Sequence, residues 1–360
     1  MQLFSSPAFD DHEQVVFLAD RESGLRAIIA IHDTSLGPAI GGLRMWPYPD
    51  EASALTDVLR LARGMTYKSA LAGLDCGGGK AVIIGDPRTG KSRALFHAFG
   101  RALEAAGGLY YTAEDVGTGP ADMDAIGEAS RFVLGRSAGA GGDPSPITAR
   151  GVWHGIRSAV RHRLGSDLQG VRVAVQGLGH VGFEVARLVR ADGARLTVAD
   201  LDPRRVARAV EELGAEVVGV DGILGVETEV LAPCALGGVV DDRTLPGLRC
   251  RVIAGAANNQ LLEGRHGDEL HRRDILYAPD YVINAGGIIS IAGELAPGGY
   301  DRDLVLRRVD RIGEVLDRIF DQSARDDLPP HVVADRLAGA RLAAARERRR
   351  RAEAATLPAA

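Results

Sequence analysis

Cysteine is scarce. Cys76, Cys234 and Cys250 are the only three in 360 residues, odd in number and far apart. That excludes a disulfide-stapled scaffold and suits a reducing compartment. Neither a CxxC pair nor an HExxH stretch occurs, so no bound metal is expected. No apolar run approaches the ~18 residues of a membrane helix. The opening Met1-Gln-Leu-Phe has neither the basic nor the apolar region of a secretory signal, so a cytoplasmic protein is expected. Charge of one sign does not dominate: the formal net charge is -5, which gives no basic field for nucleic acid. Internal repeats and long low-complexity tracts are also missing. What is present is 46% hydrophobic and 25% charged, which excludes wholesale disorder. At ~150 residues per domain, the length predicts two domains.

The first ~135 residues alternate strand and helix signals. Strands are expected at 15–19, 25–32, 81–84 and 109–112. Helices are expected from Asp50 to about Lys68, at 92–105 and at 121–129. The stretch 137–146, rich in Gly, Ala, Ser and Pro, reads as a hinge or linker. A helix at 149–163 then opens a second unit. Short apolar strands follow at 171–175, 196–199, 217–220, 230–231, 252–254 and 282–283, the early ones separated by helical segments. That is the pattern of a parallel sheet with crossovers. Long helices are expected at 304–325 and 332–350, and the arginine-rich stretch 346–351 reads as a solvated helix end.

Gly177-Leu178-Gly179-His180-Val181-Gly182 follows a strand and opens a helix, and Asp200 ends the next strand. Strand, loop, helix, strand and acid in that order make a dinucleotide-binding signature. The glycines allow a tight turn, close approach of the pyrophosphate and close helix packing. Asp200 suits the adenosine ribose and would repel a 2′-phosphate, which favours NAD, although Arg204 and Arg205 lie nearby. A competing motif, Gly85-Asp-Pro-Arg-Thr-Gly90-Lys91-Ser92, matches the phosphate-binding pattern GxxxxGK[ST]. It is read as a surface loop, because a denser constellation stands just upstream.

That constellation is Lys68 at a helix end, Lys80 in Gly77-Gly-Gly-Lys80, and Asp115 after a strand in Thr112-Ala-Glu-Asp115. Two partly buried lysines disfavour one another's charge, so one can serve as a base while the other holds a carboxylate.

With these stretches the chain resembles the Glu/Leu/Phe/Val dehydrogenase family, and within it the leucine and valine branch. The residues that carry the resemblance are Leu36-Gly-Pro-Ala-Ile-Gly-Gly-Leu-Arg-Met45, Leu61-Ala-Arg-Gly-Met-Thr-Tyr-Lys68, Gly77-Gly-Gly-Lys80 and Thr112-Ala-Glu-Asp115-Val-Gly-Thr118. Asp122-Met-Asp124, Gly142-Asp-Pro-Ser-Pro-Ile-Thr148, Ala254-Gly-Ala-Ala-Asn-Asn259 and Asn284-Ala-Gly-Gly287 add to it. The resemblance implies an α/β chain of two domains with the active-site cleft between them. A substrate and oligomerisation domain would occupy 1–140, with a C-terminal helix at 330–360 packing back on it. A doubly wound, Rossmann-type NAD-binding domain would occupy 147–329.

The resemblance also assigns roles. Lys68 would bind the substrate carboxylate, Lys80 would activate water, and Asp115 would exchange protons with the amino group. Gly41 and Gly42 would line the amine. Asn258 would touch both substrate and nicotinamide ribose, and Thr148 and Asn284 would position the nicotinamide. In glutamate dehydrogenases a lysine matches Ile40 and a serine matches Ile291. An isoleucine pair would leave a glutamate side chain unpaired. Ile40, preceding a Gly41-Gly42 turn, is expected to form the side-chain pocket with Ala113, Ile288 and Ile291, the last approaching from the NAD domain. The reading is a cytoplasmic, NAD-dependent, homo-oligomeric dehydrogenase of branched-chain L-amino acids that releases ammonia and binds neither nucleic acid nor membrane. Phenylalanine or glutamate dehydrogenases of the same family, and a non-catalytic NAD-binding regulator, stand as alternatives.

Overall fold

The apolar runs of the N-terminal third pair into one five-stranded sheet. In the computed structural model, which describes residues 3–137, 139 and 141–356, its strands are β1 (Gln14–Asp20), β2 (Leu25–Asp33), β3 (Ala39–Trp46), β4 (Gly77–Ile84) and β5 (Tyr110–Glu114). Their order is β1-β2-β4-β3-β5. β3 runs parallel to β4 and β5, and β2 runs antiparallel to β1 and β4. Helix α1 (Glu51–Leu71) starts at Asp50, whose side chain accepts from Ser53 N at 2.7 Å; such a cap stabilises by ~1 kcal/mol. Its residues Leu55, Val58, Leu59 and Ala62 pack on Ile28, Ala30 and Val82. The alternate residues of the strands, among them Leu43, Met45, Ala81 and Ile83, pack on α2 (Arg93–Ala105) and α3 (Pro120–Gly127). The period of two along each strand sorts the two faces.

β3 is an element that the sequence reading did not contain, and the expected Gly41-Gly42 turn lies inside it. Two glycines and an arginine give this segment little strand propensity of its own. Parallel neighbours on both sides supply the ladder instead.

The second unit comprises residues 143–290 and 302–337, and the first comprises 1–142, 291–301 and 338–360. The second opens with α4 (Ser145–Leu164), so the expected linker at 137–146 ends inside a helix; its Ala138 and Ala140 lie outside the described residues. There follow β6 (Arg172–Gln176), α5 (His180–Ala191), β7 (Arg195–Ala199), α6 (Pro203–Leu213), β8 (Glu216–Val217), β9 (Val230–Pro233), β10 (Val252–Ile253), α7 (Gly264–Arg272) and β11 (Leu276–Tyr277). The sheet is parallel throughout, in the order β11-β10-β9-β6-β7-β8. Strand order therefore reverses between β6 and β9, the position at which doubly wound sheets bind ligands.

Residues 282–283 are not a strand: they close the short helix α8 (Asp280–Ile283), and β11 is the edge strand. A short apolar run cannot by itself separate a buried strand from a buried helix. Here Pro279 precedes the turn, and a carboxylate oxygen of Asp280 accepts from Gln260 N at 2.7 Å. The strand expected at 217–220 shrinks to β8, which is exposed. Next comes α9 (Gly286–Gly293). The helix expected at 304–325 is two, α10 (Arg302–Asp310) and α11 (Ile312–Asp326), interrupted at Arg311.

The last helix, α12 (Pro330–Thr356), joins the first unit from Ala338 onward. There Arg341 donates to Ala70 O at 2.5 Å and to Leu74 O at 2.8 Å. Arg346 donates from Nε to the buried Asp33 at 2.9 Å. The arginines of the stretch 346–351 are exposed to solvent, but the helix continues past them to Thr356, and Arg346 also pairs with the buried carboxylate of Asp33. Among the described residues, no helix is long and apolar enough to cross a membrane.

Candidate active site

Register fixes which side chains of the first sheet share a face. Ile40 pairs with Gly78 of β4 and Tyr111 of β5, and Gly42 pairs with Ala113. Counting by twos puts Ile40, Gly42 and Arg44 on the same face as Lys80 and Ala113, with Asp115 just past the end of β5. That face is covered by α1. A Cβ on Gly78 would collide with the backbone of Thr66, so the end of α1 lies directly on β4. Lys68 stands two residues further on, half-buried in the last turn. The sheet thus gathers Ile40, Gly42, Lys80, Ala113 and Asp115, which lie far apart in the sequence.

Lys80 is neither exposed nor at the mouth of its strand. It is the fourth of eight residues in β4, and its side chain is 6% exposed. Its Nζ stands 3.1 Å from Asp115 Oδ2. Its charged neighbour at that distance is a carboxylate. β3 lies between β4 and β5, and the pair meets across it at Gly42. A Cβ there would come within 2.7 Å of Asp115 Cβ. Gly41, on the opposite face, leaves no room for a side chain against Gly79 O, and its carbonyl accepts from Tyr110 Oη at 2.7 Å.

Asp115 also accepts from Arg44 Nε at 2.9 Å. Burial raises its proton affinity, but the charges and hydrogen bonds of Lys80 and Arg44 outweigh that and hold its pKa at about 2. A carboxylate so placed is ionised at neutral pH. Arg44 also donates from Nη1 to Asp57 Oδ2 at 2.9 Å, and Tyr48 Oη donates to the same oxygen at 2.5 Å. Burial and the Asp57 carboxylate push the Tyr48 pKa up, so its hydroxyl remains a donor. Arg44, Tyr48 and Asp57 had no assigned role. The signal available was an arginine inside the Gly-rich stretch that ends at Met45.

The other expected residues belong to the second unit, except Ile291. Gly177 follows β6 with φ 92°, in the left-handed region that favours glycine. A Cβ on Gly182 would strike Gly177 O, which holds α5 tightly against the turn. Around Gly179 a Cβ would meet nothing nearer than Arg205 Nη1 at 4.0 Å, so that backbone is open to a ligand. Asp200 Oδ2 accepts from Leu178 N at 2.6 Å, and Oδ1 from Asp202 N at 2.8 Å. The acid is thereby tied to the glycine loop. Leu178 is buried, whereas His180 is exposed at the start of α5 and Val181 is half-buried.

Arg205 lies 3.8 Å from Asp200, and Arg204 is spent on Asp202. Asn284 Nδ2 donates to Asn258 Oδ1 at 2.8 Å, and Thr148 Oγ1 to Pro144 O at 3.0 Å. Two buried amide oxygens, Gln176 Oε1 beside the loop and Asn284 Oδ1, accept no hydrogen bond among the described residues. Open loop backbone, tied acid and unpaired amide oxygens fit a dinucleotide that ends in a carboxamide. Ile288 is buried in this unit, but Ile291, three residues on in α9, groups with the first unit and not with the nucleotide-binding one.

The phosphate-loop look-alike is occupied by its own contacts. Gly90 N donates to Asp86 O at 2.7 Å, Ser92 caps α2, and Lys91 pairs with Asp122 at 2.5 Å. Among the described residues, no group of three or more His, Cys, Asp or Glu side chains could hold a metal ion.

Sequence models described as "Glu/Leu/Phe/Val dehydrogenase, dimerisation domain" and "Glutamate/Leucine/Phenylalanine/Valine dehydrogenase" match residues 12–131 and 202–349. The chain is 52% identical over 352 residues to a leucine dehydrogenase of Geobacillus stearothermophilus, covering 97% of this chain and 95% of that protein. It is 47% identical over 345 residues to a valine dehydrogenase of Streptomyces albus, covering 94% of each. The crystal structure of L-tryptophan dehydrogenase from Nostoc punctiforme matches with a TM-score of 0.82 at 40% identity, over 93% of this chain and 97% of that one.

Proposed function

Because the chain belongs to the Glu/Leu/Phe/Val dehydrogenase family, we propose that it catalyses the reversible, NAD-dependent oxidative deamination of a branched-chain L-amino acid to the 2-oxo acid and ammonia. The observation that carries this reading is the buried Lys80–Asp115 pair at 3.1 Å on the sheet face that also holds Ile40 and Ala113. NAD, when bound, supplies the acceptor for the hydride that leaves Cα of the amino acid. Gly177 to Gly182 with Asp200 would hold its pyrophosphate and ribose, and Thr148, Asn258 and Asn284 its nicotinamide end. The acid on the ribose favours NAD over NADP.

Lys68 holds the substrate carboxylate as a point charge. Gly42, with no side chain on the face of Lys80 and Asp115, lets the amino group approach the β3 backbone. Asp115 accepts a proton from the substrate ammonium, so that the nitrogen lone pair drives hydride loss. The resulting imino acid takes up water at Cα, and Lys80 removes the water's proton. Asp115 returns a proton to nitrogen, ammonia departs as the carbonyl forms, and the hydroxyl proton passes to the freed Asp115 carboxylate, from which, as from Lys80, it is released to solvent. The 3.1 Å contact between Lys80 and Asp115 gives the two groups a direct path for exchanging protons.

Ile40 is fully buried on the same face, and Ala113 is 3% exposed. They offer the substrate side chain only hydrocarbon, which suits a branched alkyl group and leaves a glutamate carboxylate unpaired. The protein works as a cytoplasmic homo-oligomer in this reading. The β1 edge, with Val16 and Phe17 exposed and, among the described residues, no strand paired to its outer side, supports self-association. The test is NADH formation from L-leucine by the purified protein, with 4-methyl-2-oxopentanoate and ammonia in equal amounts. No product with any amino acid would leave only the non-catalytic alternative.

A further inference from the structure

Asp115 meets two cations, and both reach the same oxygen. Lys80 Nζ and Arg44 Nε stand 3.1 and 2.9 Å from Oδ2, while Oδ1 has no hydrogen-bond partner among the described residues. Arg44 is itself gripped at its other end by Asp57, which Tyr48 holds in turn, at 2.9 and 2.5 Å. None of these three residues is a surface ornament: Arg44 and Asp57 side chains are 21% and 31% exposed, and burial pushes the Tyr48 pKa up. The cluster of Lys80, Arg44, Asp115 and Asp57 balances two positive charges with two negative ones.

The two cations differ in what they can do. A lysine that removes a proton from water loses and regains its own proton in each turnover. An arginine guanidinium never gives its proton up. Asp115 therefore keeps one fixed cation on Oδ2 whatever the state of Lys80. The backbone below it is also fixed: Asp115 N donates to Thr118 Oγ1 at 3.0 Å, which donates to Leu43 O at 2.7 Å.

We propose that Arg44 is a positioning residue for Asp115: it pins Oδ2 against β3, leaving Oδ1 as the atom that exchanges protons with the substrate nitrogen, and Asp57 with Tyr48 orients the guanidinium. This rests on the deaminase reading above. The charged and titratable groups facing Asp115 are Lys80 from β4, Arg44 from β3, Tyr110 from β5 and, through Arg44, Asp57 from α1. With Arg44 neutralised, Asp115 loses one of its two cations and its pKa rises toward the ordinary range. The acid limb of the rate profile then moves to higher pH.

The experiment compares wild type with Arg44→Gln, Arg44→Lys, Asp57→Asn and Tyr48→Phe. It reads kcat and KM for leucine at saturating NAD across the acid pH range, and NAD affinity by fluorescence. Arg44→Gln is expected to lower kcat ~10- to 100-fold, the worth of one charged hydrogen bond. Its leucine KM and NAD affinity should stay close to wild type, and its acid limb should move to higher pH. Arg44→Lys keeps the charge and loses the fork, so kcat should fall while the limb stays. Tyr48→Phe and Asp57→Asn should lower kcat by less, with NAD affinity unchanged. Arg44→Gln with kcat within twofold of wild type, or with kcat lowered and the limb unmoved, overturns the proposal. If Arg44→Gln does not fold, unchanged kcat in both Tyr48→Phe and Asp57→Asn overturns it. A wild type that turns over no amino acid overturns the deaminase reading itself, a result distinct from an active wild type indifferent to Arg44.

Discussion

Lys80 of β4 and Asp115, just past the end of β5, lie on either side of β3, and their side chains meet at 3.1 Å over the backbone of Gly42. The missing side chain on β3 is what lets them meet. Gly42→Ala would place a methyl group within 2.7 Å of Asp115 Cβ and push the carboxylate away from Lys80. Displacing a reacting group by about an ångström typically costs ~10²-fold in rate. Steady-state kinetics of Gly42→Ala on leucine should show that loss in kcat, with NAD affinity retained because the glycine loop lies in the other unit. Full activity in this variant would mean that the pair does not need the gap.

Lys80→Ala should lose ~10²–10⁴ in kcat, the usual value of a general base. It also leaves Asp115 with Arg44 alone. Retention of more than about a tenth of wild-type kcat would assign the water-activating role elsewhere.

Asp200 controls the cofactor end. It is tied to Leu178 N at 2.6 Å, so Asp200→Ala removes both the ribose acceptor and a strut of the glycine loop. NAD affinity should fall ~10-fold or more. NADP should lose less, because the repulsion of its 2′-phosphate goes and Arg205 is released from Asp200 at 3.8 Å. Measured kcat/KM for both cofactors checks this; a wild type that prefers NADP contradicts it.

Stability should fall as pH drops through mildly acid values. His32 is buried, with Nδ1 2.9 Å from Thr66 Oγ1, and burial followed by the neighbouring His12 lowers its pKa to about 4. In the unfolded chain it titrates near 6.5. Between these values the unfolded state binds more protons, so the full stability is present above ~6.5 and is lost on descent toward 4. The shift corresponds to ~3 kcal/mol at most. Urea midpoints at pH 7 and 5 should differ more for wild type than for His32→Gln. Equal differences would remove His32 from the cause.

Much of this was legible in the sequence, and the exceptions have physical reasons. The order β6, Gly177 loop, α5, β7 and Asp200 was readable because each part has its own local signature: apolar run, glycine spacing, helix, acid. Asp50 announced its helix as a cap. β3 was hidden because its glycines exist to bring neighbours close, a tertiary demand without a local pattern. The segment at 282–283 was misread because two buried apolar residues, Val282 and Ile283, serve equally as strand or helix. Arg44 was visible as a residue, but its task depends on Asp115, seventy-one positions away.

Initial rates of NAD reduction on leucine, valine, isoleucine, phenylalanine and glutamate, measured side by side on the wild-type protein, decide the matter most directly. Burial of a branched side chain against Ile40 and Ala113 contributes roughly 1.5–3 kcal/mol, about one to two decades in kcat/KM over a small side chain. The branched-chain amino acids should lead, and glutamate, with no cation at the Ile40 position to meet its carboxylate, should be turned over negligibly. A preference for glutamate, or for phenylalanine over all three branched substrates, would contradict the pocket as described.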